Sequence, residues 1–149
     1  MTIPSGSTPK VMNNTIVSNR TGIYVDRGTD ASQQIYRNNL IVSNDIGLEI
    51  VFGTESYNPT WENNLVFGNG TNYSGTADKT GTSGNISVDP MFVDQAGGYY
   101  YLQAGSPAID QGTNTGAPTV DFAGKPRPVD GNGDSNAVTD IGAFEYQTP

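Results

Sequence analysis

A stack of short β layers, one for every 25 residues, is the fold class this sequence predicts. Three observations carry the prediction. Asn-Asn pairs recur at Asn13-Asn14, Asn38-Asn39 and Asn63-Asn64. Each is followed in step by an apolar pair (Ile16-Val17, Ile41-Val42, Val66-Phe67) and then by a lone asparagine (Asn19, Asn44, Asn69). The next turn position keeps the same register as Gly22, Gly47 and Asn72. A period this regular marks a repeat architecture in which each cycle buries its apolar side against its neighbours.

In chain order, residues 1–9 read as a flexible N-terminal segment, and the coils run from 10 to 95. Within a cycle the apolar runs are too short for helices and carry β-branched residues. Ile35-Tyr36-Arg37, Leu40 to Ser43 and Gly47 to Phe52 read as three short strands, followed by a loop at 53–59. Asparagine tolerates the left-handed backbone of a tight bend, and Gly22 and Gly47 are expected to serve the same need without a Cβ. Superposed cycles give the columns Ile16/Ile41/Val66, Ile23/Leu48/Tyr73 and Val25/Ile50, in layers roughly 4.8 Å apart. The asparagine columns should form amide ladders. Arg20 falls over Asp45 and Arg37 over Glu62 as structural ion pairs. Residues 68–84, rich in Gly, Thr, Ser and Asn, are expected to leave the stack, and Asn85 to Asp94 to return as a partial fourth layer. Residues 96–149 are expected to form an irregular cap over the last layer, because an open solenoid end exposes unpaired backbone.

Composition narrows the function classes. Charged residues are only 15%, and Asn, Thr, Ser and Gly take their place, so a turn-rich all-β protein fits better than a disordered one. The net charge of -8, with seven Lys and Arg, argues against nucleic acid and anionic membranes. Cysteine and histidine are both absent, which excludes disulfides, the common zinc sites and Ser-His-Asp or Cys-His catalysis. No apolar run reaches the roughly 18 residues of a membrane span, and the N-terminal residues carry no signal-peptide core.

The coil pattern (Asn-Asn-x-Ile-Val-x-Asn-x-x-Gly-Ile) is joined in the tail by three pieces: SPAIDQG at Ser106 to Gly112, DFAGKPRP at Asp121 to Pro128, and DIGAFEY at Asp140 to Tyr146. On these residues the chain resembles the right-handed parallel β-helix proteins of the pectate-lyase-like superfamily, from about Val11 to Tyr146. The tail pieces resemble the region where secreted bacterial members end. The resemblance implies an all-β, short right-handed parallel β-helix of about three to four coils with an irregular C-terminal cap. It also implies carbohydrate biology outside the cell or at its surface in the parent lineage. Enzymes of that superfamily have more coils, so a polysaccharide groove here would be truncated. The chain looks like the C-terminal end of a longer helix, or a miniature completed by assembly.

Candidate chemistry falls in three places. Asp130, Asn132 and Asp134, alternating with small residues and followed by Asp140, offer oxygens to a hard cation such as Ca2+. Asp140 falls one place short of the bidentate acid of an EF-hand loop, and Asp110 or Asp121 could complete the shell; an ordinary Asx turn is the alternative. Asp30 and Glu55 share a column, which would bring two carboxylates roughly 5 Å apart. That spacing suits a retaining glycosidase pair or a shared cation, while solvated loop acids are the plainer reading. Tyr24, Tyr36 and Trp61 (with Tyr57) could stack sugars; Tyr36 over Trp61 could equally be packing. Tyr99-Tyr100-Tyr101 should alternate faces of a strand, and Arg127 should bond carboxylates or carbonyls inside the cap. A family-like lyase would use a Lys or Arg base beside calcium, yet Arg20, Arg27, Arg37 and Lys79 meet no acidic cluster on the repeat grid.

These residues favour a noncatalytic carbohydrate-associated or surface module. The few residues before the first coil predict self-association, a dimer above all, through an uncovered N-terminal layer. Alternatives are a small polysaccharide lyase or glycoside hydrolase, and a purely structural assembly or adhesin segment. Polysaccharide is the expected partner besides a second copy, with no nucleic acid and no membrane insertion.

Overall fold

The computed structural model describes residues 2–3, 8–26, 32–51 and 58–147. They form a short parallel β-helix without helices. The strands are β1 (Thr2–Ile3), β2 (Lys10–Met12), β3 (Thr15–Val17), β4 (Thr21–Asp26), β5 (Ile35–Arg37), β6 (Leu40–Val42), β7 (Ile46–Val51), β8 (Thr60–Glu62), β9 (Leu65–Phe67), β10 (Thr71–Ser74), β11 (Phe92–Asp94) and β12 (Tyr99–Leu102). Three consecutive strands make one coil. Coils stack into three parallel faces, β2-β5-β8, β3-β6-β9 and β1-β4-β7-β10. The pairings Val11↔Tyr36↔Trp61 and Ile16↔Ile41↔Val66 reproduce the 25-residue columns.

Two boundaries move. Thr2–Ile3, placed by sequence in a flexible segment, pair with β4 as an additional strand. Within 68–84, read as a loop leaving the stack, Thr71–Ser74 stay in it as β10, paired with β7. The chain returns to the stack early, where Ile86 bridges Leu65 and Asn85 sits 21 residues after its ladder partner Asn64.

The bends explain the asparagine register. In each first bend the leading asparagine is left-handed (Asn13, Asn38 and Asn63, φ 52°, 55° and 49°). In each second bend that conformation falls on Ser18, Ser43 and Gly68, one place before the lone asparagine. Gly22 and Gly47, expected to supply it, do not. They lie in β4 and β7 and are small because neighbours crowd them. A Cβ on Gly22 would sit 2.7 Å from the Gly47 carbonyl oxygen, and one on Gly47 would sit 2.8 Å from Asn69 Nδ2.

The second asparagine of each pair builds a ladder. Asn14, Asn39 and Asn64 each donate both backbone N–H and side-chain Nδ2 to the Oδ1 of the next layer, ending on Asn85. Asn19, Asn44 and Asn69 form a second ladder that closes on Asn72 within the same coil. These amides satisfy backbone groups that a three-residue strand leaves orphaned at its bend.

Period-2 alternation splits the apolar residues between two cores. Inside the helix pack Val11, Tyr36, Trp61, Ile41, Val66, Ile23, Val25, Leu48 and Ile50. Leu40, Val42 and Leu65 point the other way, into a second core with Phe92, Leu102, Ala108, Ile109 and Ile141. The cap therefore buttresses the outer side of β3-β6-β9, whereas the sequence placed it over the last layer. It is pinned along the column of left-handed asparagines. Asn13 Nδ2 donates to Asp140 O, Asn38 exchanges two bonds with Thr113, and Asn63 Nδ2 donates to Gln111 O. Each coil contributes one of these pins. The first coil's interior residues Val11, Ile23 and Val25 are themselves buried.

Candidate functional site

Of the residues singled out by sequence, Asp30 and Glu55 lie outside the described residues. Tyr36 and Trp61 are interior, with ring centroids 5.0 Å apart. Burial pushes the Tyr36 phenol up, and its hydroxyl donates to Gln34 Oε1 at 2.7 Å. A sugar platform needs an exposed ring face, and neither residue presents one. Tyr24 is half-buried on the outer side of β4, beside Arg20, Thr21 and Glu49 in a shallow depression. Arg37 does pair with Glu62, at 2.6 Å. Among the described residues the only other ion pair is Arg127–Glu145, so Arg20 and Asp45 form none.

The Asp130–Asn136 loop turns its oxygens on its own backbone. Asp130 accepts from the amides of Gly133 and Ser135, Asn132 from Asp134, and Asp134 from Asn136. Asp140, the expected fourth ligand, is buried elsewhere and accepts from the amides of Asp110 and Tyr146. Asp110 accepts from Gly131, Asn132 and Val138. Among the described residues no group of three or more acidic side chains is placed to hold a metal ion. The arrangement is that of nested Asx turns.

Asp110, Asp121, Arg127, Asp140 and Glu145 meet in one buried web, and each of the three tail pieces supplies part of it. The amide of Asp110 donates to the Asp140 carboxylate, that of Asp140 to Glu145, and that of Glu145 to Asp121. Arg127 donates from Nε to Glu145 and from Nη2 to the Gly142 carbonyl oxygen. Burial pushes the Asp140 carboxyl up to about 7, helped by the charges of Glu145 and Asp110 and opposed by N–H bonds from Tyr146 and Asp110. Burial raises Glu145 as well, against the pull of the Val129 amide and of Arg127.

Between the first coil and the cap lies a cleft of about 540 Å³, lined by Asn14, Thr15, Tyr100, Val120, Phe122 and Phe144 among others. That volume is the size of a small-ligand site. Aromatic rings crowd its edge. Phe122 is 82% exposed; it meets Phe144 edge-on at 5.7 Å, and Phe144 lies 4.3 Å from Tyr101. Tyr99, Tyr101 and Val120 extend the exposed apolar surface. The polar groups are few. Asn14 spends its amide hydrogens on Met12 O and Asn39 Oδ1, so it offers the cleft a carbonyl oxygen. Thr15 Oγ1 accepts from the Ala143 amide and keeps its own proton to donate. Asp121 is the one carboxylate of the lining, and its oxygens accept from the amides of Ala123, Lys125 and Glu145.

Sequence reasoning missed Phe122 and Phe144, each alone among small or charged residues. The signal for Tyr101 was present: in Tyr99-Tyr100-Tyr101 the outer two are exposed and Tyr100 packs against Phe92 at 5.3 Å. No family model, curated protein or solved structure matches the chain. The pectate-lyase-like resemblance rests on the coil and tail motifs alone.

Proposed function

We propose that this chain is a noncatalytic carbohydrate-binding module, of the surface type its tail motifs suggest, whose ligand lies in the cleft between first coil and cap. The observation that carries this reading is the pair Phe122 and Phe144 in the lining of that cleft, with Tyr101 packed against Phe144. A ring as exposed as Phe122 marks an interaction surface. Sugar rings present apolar C–H faces to aromatics and hydroxyls to the flanking acceptor of Asn14 and donor of Thr15. The ligand is neutral. Asp121 and Arg127 are already engaged, and a chain of net charge -8 repels polyuronates.

Glycan-array screening followed by calorimetric titration tests this. Neutral oligosaccharides should bind, and Phe122→Ala should weaken them at least about tenfold, equivalent to roughly 1.4 kcal/mol, with an unchanged melting temperature. No binding at millimolar glycan, or a variant that binds like the parent, would overturn it. A second reading, an assembly segment, is favoured by the continuity of Tyr99, Tyr101, Val120 and Phe122 as exposed apolar surface. A dimer in sedimentation that Phe122→Ala turns into monomer, with no glycan bound, would support that reading instead.

A further inference from the structure

Arg127 keeps one nitrogen unpaired. The residue is 4% exposed and belongs to the lining of the cleft between first coil and cap. Its Nε donates to Glu145 at 2.6 Å and its Nη2 to the Gly142 carbonyl oxygen at 3.1 Å. Nη1 meets no acceptor among the described residues, and it is not sealed from solvent. The cleft is the cavity to which it opens.

The wall beside it is one peptide unit held at both ends. Arg127 Nη2 holds the Gly142 C=O, and Thr15 Oγ1 holds the Ala143 N–H at 3.0 Å. The C=O and N–H of a trans peptide point to opposite sides, so Arg127 and Thr15 flank that unit. Asn14, next to Thr15, brings the carbonyl oxygen that its engaged amide hydrogens leave over. The cleft thus offers a donor on one side of this wall and an acceptor on the other.

These groups select the ligand chemistry. A guanidinium only donates, and the charge of this one is matched by Glu145. A ligand carboxylate would face Asp121 in the same lining, and like charges repel. A hydroxyl on Nη1 would need an acceptor for its own proton, and the Asp121 oxygens already take three amides. A neutral carbonyl oxygen has no proton to place. An amide adds an N–H for Asn14 on the side opposite its C=O, as in the peptide of the wall. Met12, Pro118 and Val120 also line the cleft and suit a methyl group.

We propose that the cleft reads an acetamido group: Arg127 Nη1 donates to its carbonyl oxygen, Asn14 Oδ1 accepts from its N–H, and its methyl lies on the apolar lining. This rests on the carbohydrate reading and narrows the ligand to neutral N-acetylated sugars, with Phe122 and Phe144 left for the ring.

Calorimetric titration of the full chain with two neutral oligosaccharides tests this, one of N-acetylglucosamine and one of glucose, equal in length and linkage. They differ on each ring by an acetamido group against a hydroxyl. The N-acetylated oligomer should bind at least about tenfold tighter. Equal affinities, or a preference for the glucose oligomer, overturn the acetamido assignment and leave the carbohydrate reading standing. Binding of neither oligomer overturns the assignment as well, and the wider reading then stands or falls on the glycan array. Because Arg127 also holds the cap, its role is read in the parent chain by NMR. The nitrogen resonances of its guanidinium should move with the N-acetylated oligomer. Asn14→Ala, at the exposed start of the ladder, should bring the two affinities within about threefold. A guanidinium signal that stays put at saturation, or a gap unchanged in Asn14→Ala, overturns the assignment.

Discussion

At the scale of single residues, the two asparagines of each pair have separate jobs. The first takes the left-handed bend and reaches outward to the cap; the second turns inward and carries the ladder. Asn39 shows what the second role contributes. It is fully buried, accepts two bonds from Asn14, and donates to Val11 O and Asn64 Oδ1. Truncation strands all of those partners away from water. Asn39→Ala should therefore cost roughly 2–4 kcal/mol, and Asn14→Ala, at the exposed start of the ladder, about 1 kcal/mol. Urea unfolding of the two variants side by side measures the contrast; equal costs would mean that the ladder is decoration.

At the scale of elements, the cap is held by apolar packing on β3-β6-β9 and by the web around Arg127 and Glu145. That pair is buried on both sides, with side-chain exposures of 1% and 0%. Arg127→Met leaves a carboxylate in the interior without its cation and should destabilise by about 3–5 kcal/mol. Adding Glu145→Gln removes the stranded charge but sets its NH2 group against one of two backbone N–H donors, so it should restore only part of this. A double variant no better than the single would show that the guanidinium matters by filling space. The Asp130–Asn136 loop is tested at the same scale. Its carboxylates cap local amides, so neither chelator nor added Ca2+ should move the melting temperature. A rise of several degrees with Ca2+ would return the loop to the cation reading.

At the scale of the whole molecule, the tail lies alongside the stack and bonds to each of the three coils. A cap on the end would have protected one layer; a lateral buttress gives all three a second apolar face. This placement also creates the cleft, whose walls come from residues as distant in sequence as Asn14 and Phe144. Among the described residues no helix is long and apolar enough to cross a membrane. The cleft is a property of this junction, not of the coils.

The repeat was legible in the sequence because a 25-residue period acts locally. Each bend needs its left-handed residue and each layer its amide, and these demands recur wherever the chain turns. The columns Ile16/Ile41/Val66 and Ile23/Leu48/Tyr73 and the Arg37–Glu62 pair followed directly from that period. Leu40-Ile41-Val42 carried a further message, since a strand apolar at every position is covered on both faces. What covers it could not be read. The tail has no period, and its place depends on which of its scattered apolar residues meet Leu40, Val42 and Leu65. Tyr36 and Trp61 show the same limit from the other side: period and spacing put them in one column, and only packing decided that the column faces inward. The web of Asp110, Asp121, Arg127, Asp140 and Glu145, and the aromatic cleft beside it, were tertiary decisions, because their members meet only after the cap has folded back along the coils.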